Sequence, residues 1–119
     1  MRRLKTVQQI ANLNIVFALD EKGPGGACHS YAVVRKDSAK PIAVIQLQKG
    51  PRTDKDSING VLDSDLLEII KDRLQAFQDG PFACDENEEA LKHIECALQA
   101  LNKRVLDRYE RNVLGKYYK

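Results

Sequence analysis

The chain has 119 residues and a mass of 13.4 kDa, 43% of it hydrophobic and 30% charged, which suffices for one modest core and not for two ordinary ones. Nineteen basic against seventeen acidic side chains leave a net +2, which argues against a nucleic-acid binder held by bulk charge. No apolar run approaches the ~20 residues of a membrane helix, the start MRRLK lacks a signal-peptide core, and disorder does not fit this hydrophobicity. The expectation is one small soluble intracellular domain over 1–119, with no membrane and no DNA among its partners.

The first half reads as β. Asn12 to Asp20 alternates in part, with Leu13, Ile15, Val16 and Phe17 as its apolar members. Gly23-Pro24-Gly25-Gly26 breaks it, His29 to Arg35 is rich in β-branched and aromatic residues, and the break from Lys36 to Pro41 precedes Ile42 to Gln48. In that last segment Ile42, Val44 and Gln46 share one face and Ile45 and Leu47 the other. Three strands with short loops predict an antiparallel meander over 1–52. Gly50 to Gly60 loses the pattern and reads as a loop ending in an Asn59-Gly60 turn.

The period then becomes helical. Asp63 or Ser64 is placed to cap a helix carrying Leu66, Leu67, Ile70, Leu74 and Phe77, which ends near Asp79-Gly80-Pro81. Asp85 with Glu88 resembles a capping box for a second helix, whose seam is Leu91, Ile94, Leu98, Leu101 and Val105. It runs to about Asn112, with Gly115 just beyond, a span of about 40 Å. That is long for so small a chain, so part of the seam is expected to pack against another copy. The fold expected is α+β: a small N-terminal antiparallel β-sheet followed by a C-terminal helical hairpin with one long helix over 62–115, in a homo-oligomer.

Charge is unevenly laid out, with residues 1–60 at +5, 61–89 at −7 and 103–119 at +4. Folding could collect the basic ends into one positive surface, or leave them as solvated faces. Cys28, Cys84 and Cys96 are an odd number at irregular spacing and His29 and His93 lie far apart, so neither a disulfide scaffold nor a local metal site is supported. Cys28-His29 as neighbours in a strand would point to opposite faces and cannot act as nucleophile and base. Nothing in the chain demands turnover, a metal or a cofactor. Arg104, Arg108 and Arg111, at i, i+4 and i+7, share a stripe of the second helix. With Asp107 and Glu110 nearby they form either a surface salt-bridge lattice or a phosphate-capturing fork. Phe77 and Phe82 flank the helix break as hairpin packing or as a platform for a stacked base.

The stretch Arg73-Leu-Gln-Ala-Phe-Gln-Asp-Gly-Pro-Phe-Ala-Cys84, with Asn59-Gly60-Val61, Glu89-Ala90-Leu91, Leu101-Asn102-Lys103-Arg104, Asp107-Arg108 and Val113 to Tyr117, resembles the phage Thoeris anti-defence proteins of the first family. Their α-hairpin is related to that of the phage anti-CBASS sponges. Cys28 to Tyr31 and Gln46 to Arg52 look like that family's sheet and following loop, so the similarity runs from about Asn14 to Tyr117. The resemblance implies a non-catalytic sponge in the cytoplasm of the infected bacterial host. It would hold the cyclic ADP-ribose isomer (gcADPR) made by Thoeris TIR enzymes without cleaving it. In some members cyclic di- or trinucleotides of CBASS bind at separate sites of a larger assembly, a dimer or hexamer. Carried over by position, Phe77, Phe82 and Asn87 fall where the family's base-binding residues are expected, and Arg104 and Arg108 match its C-terminal helical arginines. Lys49 and Arg52 are candidates for a neighbouring or separate cyclic-nucleotide site, and Arg111 is the weakest of the set because Asp107 and Glu110 neutralise it. The acidic start of the second helix places the phosphates toward the arginine end, reached across a subunit boundary. The alternative is a small phage regulatory protein that binds a host protein or nucleic acid.

Overall fold

A computed structural model describes residues 1–38, 40–114 and 116. The chain divides into two compact units, Met1–Val61 and Leu62–Lys119.

The first unit is a four-stranded antiparallel meander: β1 (Arg2–Arg3), β2 (Asn14–Ala18), β3 (Ser30–Arg35) and β4 (Pro41–Gln46), in that spatial order. Three of these are the expected strands, trimmed at their ends. The fourth, β1, pairs Arg2 with Ala18 and Arg3 with Phe17. Two arginines carry no strand pattern, so only the pairing defines this strand. Register puts Phe17, Ala32 and Val44 in one row across the sheet and Val16, Val33 and Ala43 in the next, on the opposite face. Among the described residues the buried apolar ones, Ala18, Cys28 and Ala32, are all small and all lie in this unit, while Ile42 and Val44 on the edge strand are more than half exposed.

Side-chain grips on backbone do much of the fastening. The Asp20 carboxylate accepts the amides of His29 (2.9 Å) and Ser30 (3.2 Å), closing the β2–β3 connection. Its turn at Pro24–Gly26 uses glycines at φ 76° and 81°, a region that L side chains avoid. After β4, Gln48 donates to the Gly50 carbonyl and to Asn59 Oδ1 and accepts the Gly60 amide, tying down the 47–61 loop. Gly60 does not serve a left-handed turn. A Cβ there would lie 2.2 Å from the Gln46 carbonyl oxygen, so the position needs glycine for close approach.

The second unit is a helical hairpin, α1 (Asp63–Gln78) packed on α2 (Asp85–Glu110). The helix spans match the apolar periodicity, but the caps differ from the sequence expectation. Neither Asp63 nor Ser64 caps α1: Leu62 is the N-cap, and Asp65 reaches back to accept its amide at 2.9 Å. In α2 the N-cap is Cys84, without a side-chain cap, so Asp85 and Glu88 sit within the first turn and form no capping box. Asn112, at φ 60°, ends α2 in the left-handed conformation. Val113 N–H bonds the Arg108 carbonyl (2.9 Å) and Asn112 N–H that of Tyr109 (3.0 Å), a Schellman closure. Gly115, expected beyond the end, lies outside the described residues.

Leu66, Leu67 and Leu74 of α1 and Leu91, Ile94, Leu98 and Leu101 of α2 are half-buried along the seam. No apolar side chain of either helix is fully buried, and Ile69, Ile70, Val105, Leu106 and Tyr109 are largely exposed. α2 outlasts α1 by ten residues, an overhang of about 15 Å.

Candidate ligand-binding site

At the hairpin bend, Gln78 grips Cys84 twice: its amide nitrogen donates to the Cys84 carbonyl (3.1 Å) and its oxygen accepts the Cys84 N–H (3.0 Å). This clamp closes the turn that carries Phe82, whose ring is 74% exposed. Phe77, on the last turn of α1, has its ring covered by the Arg73 guanidinium 5.2 Å from the centroid, a cation–π contact. Of the two aromatics, Phe82 therefore presents the freer face for stacking. Arg73 was not among the sequence candidates, although its i, i+4 spacing to Phe77 is the pattern that would have pointed to it. Asn87 is half-buried in the first turns of α2. Asp85, Glu86 and Glu88 crowd the same turn, so the bend suits a neutral ring better than an anion.

The arginines occupy the other end of α2. Asn87 and Arg104 are seventeen residues apart on one helix, about 25 Å, so a single hairpin does not bring the aromatics and the arginines to one ligand. The three arginines also differ in kind. Arg104 is exposed, whereas Arg111 pairs with Asp107 at 3.1 Å. Arg108 is buried, its guanidinium donating to the carbonyls of Val113 (2.9 Å) and Lys116 (2.7 Å) beyond the helix end. That arrangement reinforces the C-terminal cap with a charge the helix dipole favours.

Lys49 and Arg52 belong to the first unit, on the loop fastened by Gln48. Lys49 exchanges backbone hydrogen bonds with Ile58, and the stem of Lys49 and the ring of His29 both lie over Gly23. Arg52 is exposed. Cys28 and His29 precede β3 rather than lie within it: Cys28 Sγ donates to the Asp20 carbonyl at 3.3 Å. His29 Nδ1 is buried with no hydrogen-bond partner among the described residues. Desolvation raises the Asp20 carboxyl, but the amides of His29 and Ser30, its own N–H and the nearby imidazole outweigh that and hold it below the ordinary value of 3.8. Among the described residues no three His, Cys, Asp or Glu side chains gather as a metal site, and no helix is long and apolar enough to cross a membrane.

Comparison with known proteins locates the hairpin in sequence space. Residues 40–106 match the family described as Acb2/Tad1, hairpin domain. The chain is also 41% identical over 97 residues to the protein named Thoeris anti-defense 1 of Bacillus phage SBSphiJ7, an alignment covering 82% of this chain and 66% of that protein. This chain thus spans just under two thirds of that relative's length. The matched region contains α1, the clamped bend with Phe82, and α2 as far as Arg104 and two residues beyond. On that match the chain belongs to the Acb2/Tad1 hairpin-domain family.

Proposed function

We propose that this protein blocks Thoeris defence as a sponge, binding the cyclic ADP-ribose isomer signal inside the infected host cell and holding it intact. The match of residues 40–106 to the hairpin domain carries the reading. The geometry of the hairpin supports it in detail. An exposed phenyl ring on a clamped bend offers a stacking surface for adenine, and the basic end of α2 offers Arg104 to a pyrophosphate. Because these lie about 25 Å apart along α2, the complete site is formed by two copies packed antiparallel, with the bend of one hairpin at the arginine end of the other. The exposed Val105, Leu106 and Tyr109 on the α2 overhang supply apolar surface for that pairing. Arg108 supports the site by holding the helix end in shape. Lys49 and Arg52, on the other unit, are the proposed contacts for cyclic di- or trinucleotides at a separate place.

The test is to mix the purified protein with TIR-derived cyclic ADP-ribose isomers, remove free ligand by size exclusion, heat-denature, and analyse the released material by mass spectrometry. Intact ligand is expected from the wild type. Phe82→Ala and Arg104→Ala should each retain about tenfold less, the effect of losing one stacking or one charge-assisted contact. A converted product would make the protein an enzyme. Retention unchanged in both variants would remove this site.

A further inference from the structure

Outside the matched hairpin region, the N-terminal unit holds a cavity of about 360 Å³ beneath the connection between β1 and β2. That volume falls within the range of small-molecule sites, roughly 300–1,000 Å³. Its wall carries Arg3, Lys5 and Lys36 and no carboxylate. The nearest acidic neighbour in the chain, Asp37, is held by Arg35 through two hydrogen bonds of 3.1 and 2.8 Å and is not available to neutralise them. Among the described residues none of the three cations enters an ion pair. Three like charges around one concavity repel one another unless an anion lies between them.

The connection leaves most of its aliphatic side chains in solvent. Val7, Ile10 and Leu13 are 101%, 89% and 79% exposed, while the neighbouring Thr6, Gln9 and Asn12 line the cavity. Asn12 fixes the loop, its amide donating to the Gln8 carbonyl (3.2 Å) and its oxygen accepting the Asn14 N–H (3.1 Å). A loop closing over apolar space would place its aliphatic side chains inward. In this one Leu4 lines the cavity beside Ile15 and Val16 of β2, whereas Val7, Ile10 and Leu13 face away; the amides of Gln8 and Gln9 join that wall, and Thr6 and Asn12 use their polar atoms to brace the loop.

We infer that this cavity is a binding site for a phosphate-bearing small molecule. A guanidinium fork and two ammonium groups match a multiply charged phosphate better than a single carboxylate, and the amides of Gln8 and Gln9 are placed for hydroxyl or base-edge contacts. The site is separate from the hairpin and contains none of its residues. The test uses the full chain and two probes, inorganic pyrophosphate and AMP, at low salt, with affinity read by calorimetry and location by amide shifts in the 1H–15N NMR spectrum. Binding is expected with shifts at Lys5, Thr6, Asn12 and Lys36, weakened roughly tenfold by Arg3→Gln and by Lys36→Gln, each of which removes one charge-assisted contact. Both side chains are exposed, so the dispersion of the variant spectra should match the wild type. Equal affinity for the two probes assigns recognition to phosphate alone, and tighter binding of AMP adds the amides as base contacts. No binding at millimolar probe, shifts confined to 77–111, or affinity unchanged in both variants overturns the inference. Failure here leaves the sponge reading of the hairpin untouched, since that reading stands on ligand retention by Phe82 and Arg104.

Discussion

From Asn14 to Gly60 the chain fastens itself with side chains that grip backbone: Asp20 holds two amides across the β2–β3 connection, and Gln48 holds both sides of the loop after β4. From Asp63 to Glu110 regular helices supply the backbone bonds, and among the described residues such grips stand where a helix begins or ends, at Asp65, Gln78 and Arg108. The apolar surface differs in the same sense. The sheet unit contains the small buried residues Ala18, Cys28 and Ala32, whereas the helices leave every apolar side chain at least partly exposed. A two-helix hairpin has one seam to fill and an outer surface left over. Such an element is suited to assembly, while a polar-stapled sheet is suited to holding loops in fixed positions.

The largest test of that contrast is Gly60→Ala. The added methyl meets the Gln46 carbonyl at a distance no Cβ adopts, so the 47–61 loop must move. A loss of about 3 kcal/mol is expected, seen as a lowered denaturation midpoint with the amide shifts of 46–61 displaced and those of 63–110 retained. Next comes the difference between two arginines of one stripe. Arg108→Ala strips two backbone carbonyls of a buried cationic donor and should cost about 2 kcal/mol in urea unfolding. Exposed Arg104→Ala should stay within about 0.5 kcal/mol. Equal, small costs would return Arg108 to the role of a surface ligand contact. The smallest effect concerns acid. The folded pKa of Asp20 lies below its ordinary value, so its stabilising contribution is complete above that value and is lost as pH falls through the folded one. Asp20→Asn should therefore flatten the stability profile below about pH 4 without altering the hairpin's response, which an acid titration followed by NMR would resolve.

How much was legible in the sequence follows the same division. The helix bodies were readable because Leu66, Leu74, Leu91, Ile94, Leu98 and Leu101 repeat at the period of the structure they form. Their ends were less so, because a cap depends on which backbone group is orphaned: Asp65 serves Leu62 rather than Asp63 or Ser64 serving the turn, and Asn112 takes the left-handed position. In the sheet, β1 escaped because Arg2 and Arg3 become a strand only by pairing with Ala18 and Phe17, a contact between residues far apart in the chain. Of the candidate site, Phe82 and Arg104 are exposed, and the roles proposed for them rest on the resemblance and not on a pattern of their own. The burial of Arg108 could not be read from spacing, since i, i+4, i+7 gives a shared face and says nothing of what folds back over it. The N-terminal cavity lies between strand residues and an irregular loop, and the loop has no period to detect.

The Gln78–Cys84 clamp has a consequence for the proposed stacking site. A bend left loose in the free protein would lose its conformational freedom on meeting a ligand, and affinity would fall by the free energy of that ordering. Here Gln78 imposes the ordering during folding, and Phe82 waits on a loop already set. In the proposed site a stacked ring would be opposed by the loss of its own motion and of the phenyl rotor's, and not by any ordering of the bend.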